Sequence, residues 1–448
     1  MSLAEHPEPT SAADAGPLLF PASYAQQRMW FLHHLRRDDP YYNIPLALRW
    51  SGRVDPAALG EALNEVVARH EILRTTFTAE HGEPHQVVAP TGTVELETVR
   101  PAPDEERQWA LDWVDRPFDL TRGPLLRAAL LTTAPDQHLL LLCQHHIITD
   151  GWSLNLLTQE LTAGYRRRLT GGPAPPAPLE IQYADFAEWQ RDRLAGQELD
   201  GQLAYWHRRL AGDLPVLDLP ADRRRPAAQS FRGARVDLTL PAELAEALTR
   251  LGRTHHATLF MTLFAGVSAL LHRRTGQDDL LIGSPVAGRE QVETEALLGL
   301  FVNTLVLRGD LSGNPSFATL LARVRQLCSE AFAHQDVPLD KLVEDLQPDR
   351  DASRTPLFQT LFALQTSPDT DSAVPGAALR AESLPRASTR FDLEFHLWQD
   401  GERIGGTLVY STDLFDERTV RGLADQLHRL LAEAVRTPER PLAELPLH

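Results

Sequence analysis

Apolar positions recur along this chain with periods near 3.6 and near 2, and the switches between them predict alternating helices and strands. Ser23 to Leu35 reads as an opening amphipathic helix with Ser23 as its N-cap. Ile44 to Trp50 is expected as a strand, and Asp55 to His70 as a helix of good formers. Two apolar strands follow, 125–133 and 138–146. The second contains Leu139-Leu140-Leu141-Leu142, an unbroken run suited to a strand covered on both faces. Trp152 to Leu169 then predicts a helix closed by Gly171-Gly172.

Residues 173–178 hold four prolines in six positions, a stiff connector and a candidate seam. Beyond it the pattern predicts helices over 182–194, 242–253, 259–273 and 417–435. Strands are predicted over 279–284, 301–307, 358–365, 391–398 and 403–410. Alternation in both halves predicts α/β layers twice over. The expected organisation is a disordered leader over 1–17, one half over 18–175 and a second over 176–448.

Composition refines this picture. Hydrophobic residues at 43% and charged residues at 23% suit an ordered globular chain. A formal net charge of −17 argues against nucleic acid as the main partner, because phosphate backbones attract basic surfaces. Arg166-Arg167-Arg168 and Arg223-Arg224-Arg225 are expected as solvated surface charge. No apolar run approaches bilayer length, and the start lacks a basic-then-apolar signal pattern, so a cytoplasmic protein away from the membrane is expected. Two cysteines, Cys143 and Cys328, give no disulfide framework and fit a reducing compartment. A monomer is the expected state.

Candidate chemistry concentrates at His145-His146-Ile147-Ile148-Thr149-Asp150-Gly151, at the end of a buried strand and ahead of a helix. Strand alternation places His146 with Gln144 on one face and His145 with Cys143 on the other, which disfavours a Cys143–His146 nucleophile pair. No G-x-S-x-G elbow is present, and Gly283 to Gly288 has the wrong spacing for one. A metal reading of His145, His146 and Asp150 has no HExxH or CxxC to support it, so no metal is expected. Without a protein nucleophile, the economical reaction is direct attack of an acceptor on an activated acyl donor. That reaction needs a proton acceptor, for which a neutral His146 could serve, and an oxyanion stabiliser, for which backbone N–H groups at Gly151 could serve. Asp150 is expected as a buried anchor paired to Arg289 rather than as a relay to His146.

Regions spread along the chain carry a resemblance. Ser23-Tyr24-Ala25-Gln26-Gln27-Arg28-Met29-Trp30, Arg69 to Phe77, His145 to Ser153 and Tyr183 to Trp189 resemble, in order, motifs of nonribosomal peptide synthetase condensation domains. Leu298 to Thr304, His334 to Pro338 and Arg350 to Leu357 complete the set, over about residues 18–445. The resemblance implies two chloramphenicol-acetyltransferase-like α/β halves forming a V-shaped pseudodimer with a central tunnel. It implies that carrier proteins deliver donor and acceptor on phosphopantetheine arms, and that this chain binds no cofactor itself. The implied catalytic group comprises His146, His145, Asp150 and Gly151, with Arg289 in support, while Trp152 and Asn303 fall where the tunnel would be lined. The order Trp152-Ser153 and the intact histidines point to bond formation rather than epimerisation or heterocyclisation. An excised domain and a free-standing enzyme both fit the chain's ends, and the latter could use a small-molecule amine or alcohol acceptor, giving an amide or an ester. Three alternatives stand beside condensation: a same-fold epimerase, a coenzyme A-dependent acyltransferase, and a non-catalytic carrier-recruiting module.

Overall fold

The computed structural model describes residues 16–37, 39–172, 174–348, 351–365, 374, 376–382, 384 and 388–447. The expected leader lies outside the described residues except for Gly16 and Pro17, and so do Pro173 and Arg350. The chain divides into two compact units. The first comprises Met1–Ala195 with the returning segments Ala287–Val302 and Pro368–Leu384; the second comprises Gly196–Val286, Asn303–Ser367 and Pro385–His448. The seam anticipated near residue 175 therefore falls inside the first unit.

In the first unit a five-stranded sheet runs in the order Ala377–Glu382, Asn43–Gly52, Gln137–His145, Leu126–Ala134, Leu96–Val99. Gln137–His145 is central, flanked antiparallel on both sides, and Leu139 to Leu142 are each at most 1% exposed. The unbroken leucine run thus reports a strand buried on both faces, although its neighbours are antiparallel. Helix Pro56–Arg69 starts at an Asp55 cap and packs on helix Gly151–Thr170, which ends at Gly171 in the left-handed region (φ 65°). A β-carbon on Gly164 would lie 3.4 Å from that of Ala62, so the glycine sets this close helix approach. A second, three-stranded sheet joins Leu18–Pro21, Glu83–Val88 and Thr75–Glu80.

The second unit holds a mixed six-stranded sheet ordered Asn303–Asp310, Asp279–Val286, Thr360–Gln365, Leu393–Asp400, Arg403–Ser411, Gly233–Leu240. Thr360–Gln365 is parallel to both neighbours and the remaining pairs are antiparallel. Helix Leu259–Thr275 is buried continuously from Met261 to Leu271, so it is apolar all round rather than amphipathic. It shares one core with helices Ala242–Thr254, Phe317–Phe332 and Glu417–Arg436. Leu393, Phe395 and Leu397 face that core, while Glu394, His396 and Trp398 occupy the alternate face. Among the described residues no single helix is long and apolar enough to cross a membrane.

Candidate active site

The strand ends at His145, and residues 146–148 form a single 3-10 turn before Asp150 caps the next helix. His146 therefore lies in the turn and not on the strand, so turn geometry, in place of the expected strand alternation, sets the direction of its side chain. His145 is 1% exposed, with its ring edge-on to His33 at 5.1 Å and to Phe118 at 6.2 Å. Its Nδ1 accepts the Ile147 N–H (3.1 Å), so the proton resides on Nε2, which has no hydrogen-bond partner among the described residues. Burial, assisted by the neighbouring imidazoles of His33 and His146, holds His145 well below the usual histidine range.

His146 is the one part-exposed residue between Cys143 and Asp150. Its Nδ1 lies 2.7 Å from the Thr149 carbonyl. A carbonyl only accepts, so Nδ1 carries a proton, and in the neutral ring it is Nε2 that keeps the lone pair. Cys143 is buried, with its thiol 3.7 Å from the Val114 carbonyl. Burial pushes the Cys328 thiol up to about 12, far from a working nucleophile. Among the described residues no group of three or more His, Cys, Asp or Glu side chains is placed to hold a metal ion.

Asp150 gathers the surrounding motifs. Its Oδ1 accepts the Ser153 N–H (2.8 Å) and faces Arg289 Nη2 at 3.4 Å, and its Oδ2 accepts the Phe301 N–H (2.9 Å). The two side chains are 4% and 2% exposed. Arg289 also donates to Ser153 Oγ (2.9 Å) and to the carbonyls of Thr294 and Leu297, and it lies 3.8 Å over the Phe301 ring. Burial weakens its hold on the proton, and the Asp150 carboxylate opposes that shift. A buried guanidinium so engaged is a fastener.

Four residues whose contacts sequence reasoning did not assign complete the network. Ser153 Oγ donates to the Gly299 carbonyl (2.8 Å) and accepts its N–H (3.0 Å). Tyr183 donates to the Leu300 carbonyl (2.6 Å), with Ser23 Oγ at 2.9 Å from its hydroxyl. His70 Nδ1 accepts the Leu298 N–H (3.4 Å), and its Nε2 meets Glu160 at 2.9 Å. Apart from the N-cap signal of Ser23, their signal in the sequence was membership of separate motifs, and the structure shows those motifs converging on segment 287–302.

Gly151 opens the helix, and a β-carbon there would meet nothing within 4 Å. The space beside its backbone is open, and a first-turn N–H has no intrahelical acceptor. Trp152 is 46% exposed and donates through Nε1 to the Glu295 carbonyl (3.0 Å). Asn303 belongs to the second unit. Its amide donates to the carbonyls of Gln335 (2.8 Å) and Val337 (2.7 Å) and accepts the Leu339 N–H (3.1 Å), which fastens a loop and leaves little for a ligand.

Residues 19–448 match the family model described as the condensation domain. The chain belongs to the condensation-domain family. Relatives include malpinin synthetase of Mortierella alpina, 43% identical over 94% of this chain, and phosphinothricin tripeptide synthetase PhsC of Streptomyces viridochromogenes, 42% identical over 98%. This chain spans only 6% and 41% of their respective lengths. The X-domain from teicoplanin biosynthesis is 31% identical with a TM-score of 0.86, covering the whole of both chains. The condensation domain of the polyketide synthase MokA shares the fold at a TM-score of 0.87 and 24% identity, over 96% of this chain and the whole of its own. Condensation-domain membership accounts for mixed α/β sheets in both units, as the motifs implied.

Proposed function

We propose that this condensation domain transfers an acyl group from a carrier-borne thioester to an acceptor nucleophile, in the manner of the peptide synthetases it resembles. The hydrogen bond from His146 Nδ1 to the Thr149 carbonyl carries this reading, because in the neutral, part-exposed ring it leaves Nε2 as the proton acceptor. Nε2 takes the proton as the acceptor nitrogen or oxygen bonds to the thioester carbon. The oxyanion so formed is stabilised by backbone N–H groups at Gly151, and its collapse breaks the carbon–sulfur bond. The proton then passes from His146 to the departing thiolate. His145 shapes the turn, while Asp150 and Arg289 hold the network in place. The carrier's phosphopantetheine arm brings the donor, so the chain needs no resident cofactor for this reaction.

A second reading is favoured by one observation: a structural relative, 31% identical with a TM-score of 0.87, is the teicoplanin X-domain in complex with OxyB. A domain of this fold could therefore recruit another protein without catalysis. The intact His146 geometry supports turnover instead. Mass spectrometry of acyl-loaded carrier mixed with amine and alcohol acceptors decides between them: product from the wild type and little from His146→Ala supports condensation. Carrier binding without product supports recruitment.

A further inference from the structure

In the first unit the edge strand Leu96–Val99 pairs with Leu126–Ala134 from Leu96 and Ala128 onward. Just before that pairing begins, Val94 is drawn off toward helix Pro56–Arg69. Its N–H donates to Asn64 Oδ1 (2.8 Å), and its carbonyl accepts from Asn64 Nδ2 (3.0 Å). Leu126 and Arg127 therefore run on past the end of their neighbour, and a cleft of about 390 Å³ opens there. That volume lies within the range of small-molecule sites. None of residues 145–151 lines it.

Two charges on the wall of this cleft have no counter-charge. The Arg127 guanidinium is clamped between the rings of Phe118, at 4.1 Å, and Trp113, at 5.5 Å, and its Nη2 donates to the Arg116 carbonyl (2.6 Å). Its Nε is enclosed without a partner, and no carboxylate pairs with it among the described residues, which leaves Nη1 for the cleft. A guanidinium stays protonated at any working pH, so Nη1 is a donor whatever the conditions. Glu95, exposed on the same wall, has neither hydrogen bond nor ion pair among the described residues. The other two charges are engaged: Glu97 accepts the Trp113 Nε1–H (2.9 Å) and faces Arg116 Nη1 at 4.0 Å. Exposed Pro124 and buried Leu126 add an aliphatic side.

We propose that this cleft binds a free α-amino acid with an aliphatic side chain, its carboxylate on Arg127 and its ammonium facing Glu95. The side chain lies along Pro124 and Leu126. A lone anion would be opposed by Glu95 and a lone cation by Arg127, whereas a zwitterion complements both. The two rings orient the guanidinium before any ligand arrives, which lowers the ordering cost of binding. No bond is made or broken, and the inference stands whether or not His146 catalyses condensation.

Isothermal titration calorimetry tests this with three probes, all ionised at about pH 7. They are L-leucine, 4-methylpentanoate (leucine without its amine) and 3-methylbutylamine (leucine without its carboxylate). Saturable binding of leucine is expected, with each of the other two weaker by about tenfold or more. Glu95→Lys, a change at an exposed position, should reverse the order, so that 4-methylpentanoate binds better than leucine. Arg127→Gln should weaken leucine by about tenfold, and melting curves confirm that each variant is folded. His146→Ala should bind leucine as the wild type does, which separates the cleft from the reaction site. No saturable leucine binding, equal binding of the three probes, an unchanged order in folded Glu95→Lys, undiminished binding in folded Arg127→Gln, or loss of leucine binding in folded His146→Ala would overturn the proposal.

Discussion

The Thr149 carbonyl decides how His146 can act. By holding Nδ1–H at 2.7 Å it leaves Nε2 as the acceptor, so His146→Ala should cost about 10²–10⁴-fold in turnover. The loss should be greater for ester than for amide formation, because an alcohol keeps its proton until attack whereas part of an amine pool is already neutral. Product quantification with size-matched amine and alcohol acceptors checks this, and equal losses would contradict it. His145 makes a pH-dependent contribution of the opposite kind. Its folded-state affinity for protons is depressed by burial, so the unfolded chain binds a proton first as pH falls. Stability should therefore decline as pH drops below about 6.5, where a free histidine titrates. Melting temperatures between neutral and mildly acidic pH should fall less steeply in His145→Asn than in the wild type.

At the level of elements, the strand–turn–helix around the tract was legible because each part has a strong local signal: a leucine run, a turn-prone Thr149-Asp150-Gly151 and a long helix ending at Gly171. The turn at His146 was misread, because it depends on His145 Nδ1 capturing the Ile147 N–H, and periodicity carries no trace of that bond. Strands Leu18–Pro21 and Leu96–Val99 were missed for a different reason, since four residues are too few to establish a period of two. The Asp150–Arg289 pairing was legible as a partner choice, whereas the Ser153, Tyr183 and His70 contacts to segment 287–302 were not. Asp150→Ala leaves a buried guanidinium without its carboxylate and the Phe301 N–H without an acceptor, and should cost about 3–5 kcal/mol in denaturant unfolding. The double variant Asp150→Leu with Arg289→Met should lose less than the sum of the single changes. Gly299→Ala should be as damaging in kind, because a β-carbon there would lie 2.0 Å from the Tyr183 ring; a small change in midpoint would show that the segment can shift to make room.

For the molecule as a whole, two α/β layers were visible in the alternation of periods, but their boundaries were not. Segments 287–302 and 368–384 return to the first unit, and Ala377–Glu382 pairs with Asn43–Gly52 across more than three hundred residues of chain. Local pattern cannot specify such partners, because an edge position is open to any strand of compatible register. The same unit takes in Arg289 beside Asp150 through segment 287–302, so its network is completed by residues distant in sequence. In the proposed function this network supports catalysis through His146 rather than recruitment alone. Its most direct test is mass spectrometry of an acyl-loaded carrier protein incubated with an acceptor and either wild type or His146→Ala, both confirmed to bind the carrier. Condensed product is expected with the wild type and about a hundredfold less, or lower still, with the variant; equal product from the two, or carrier binding by the wild type with no product from any acceptor, would overturn catalysis through His146.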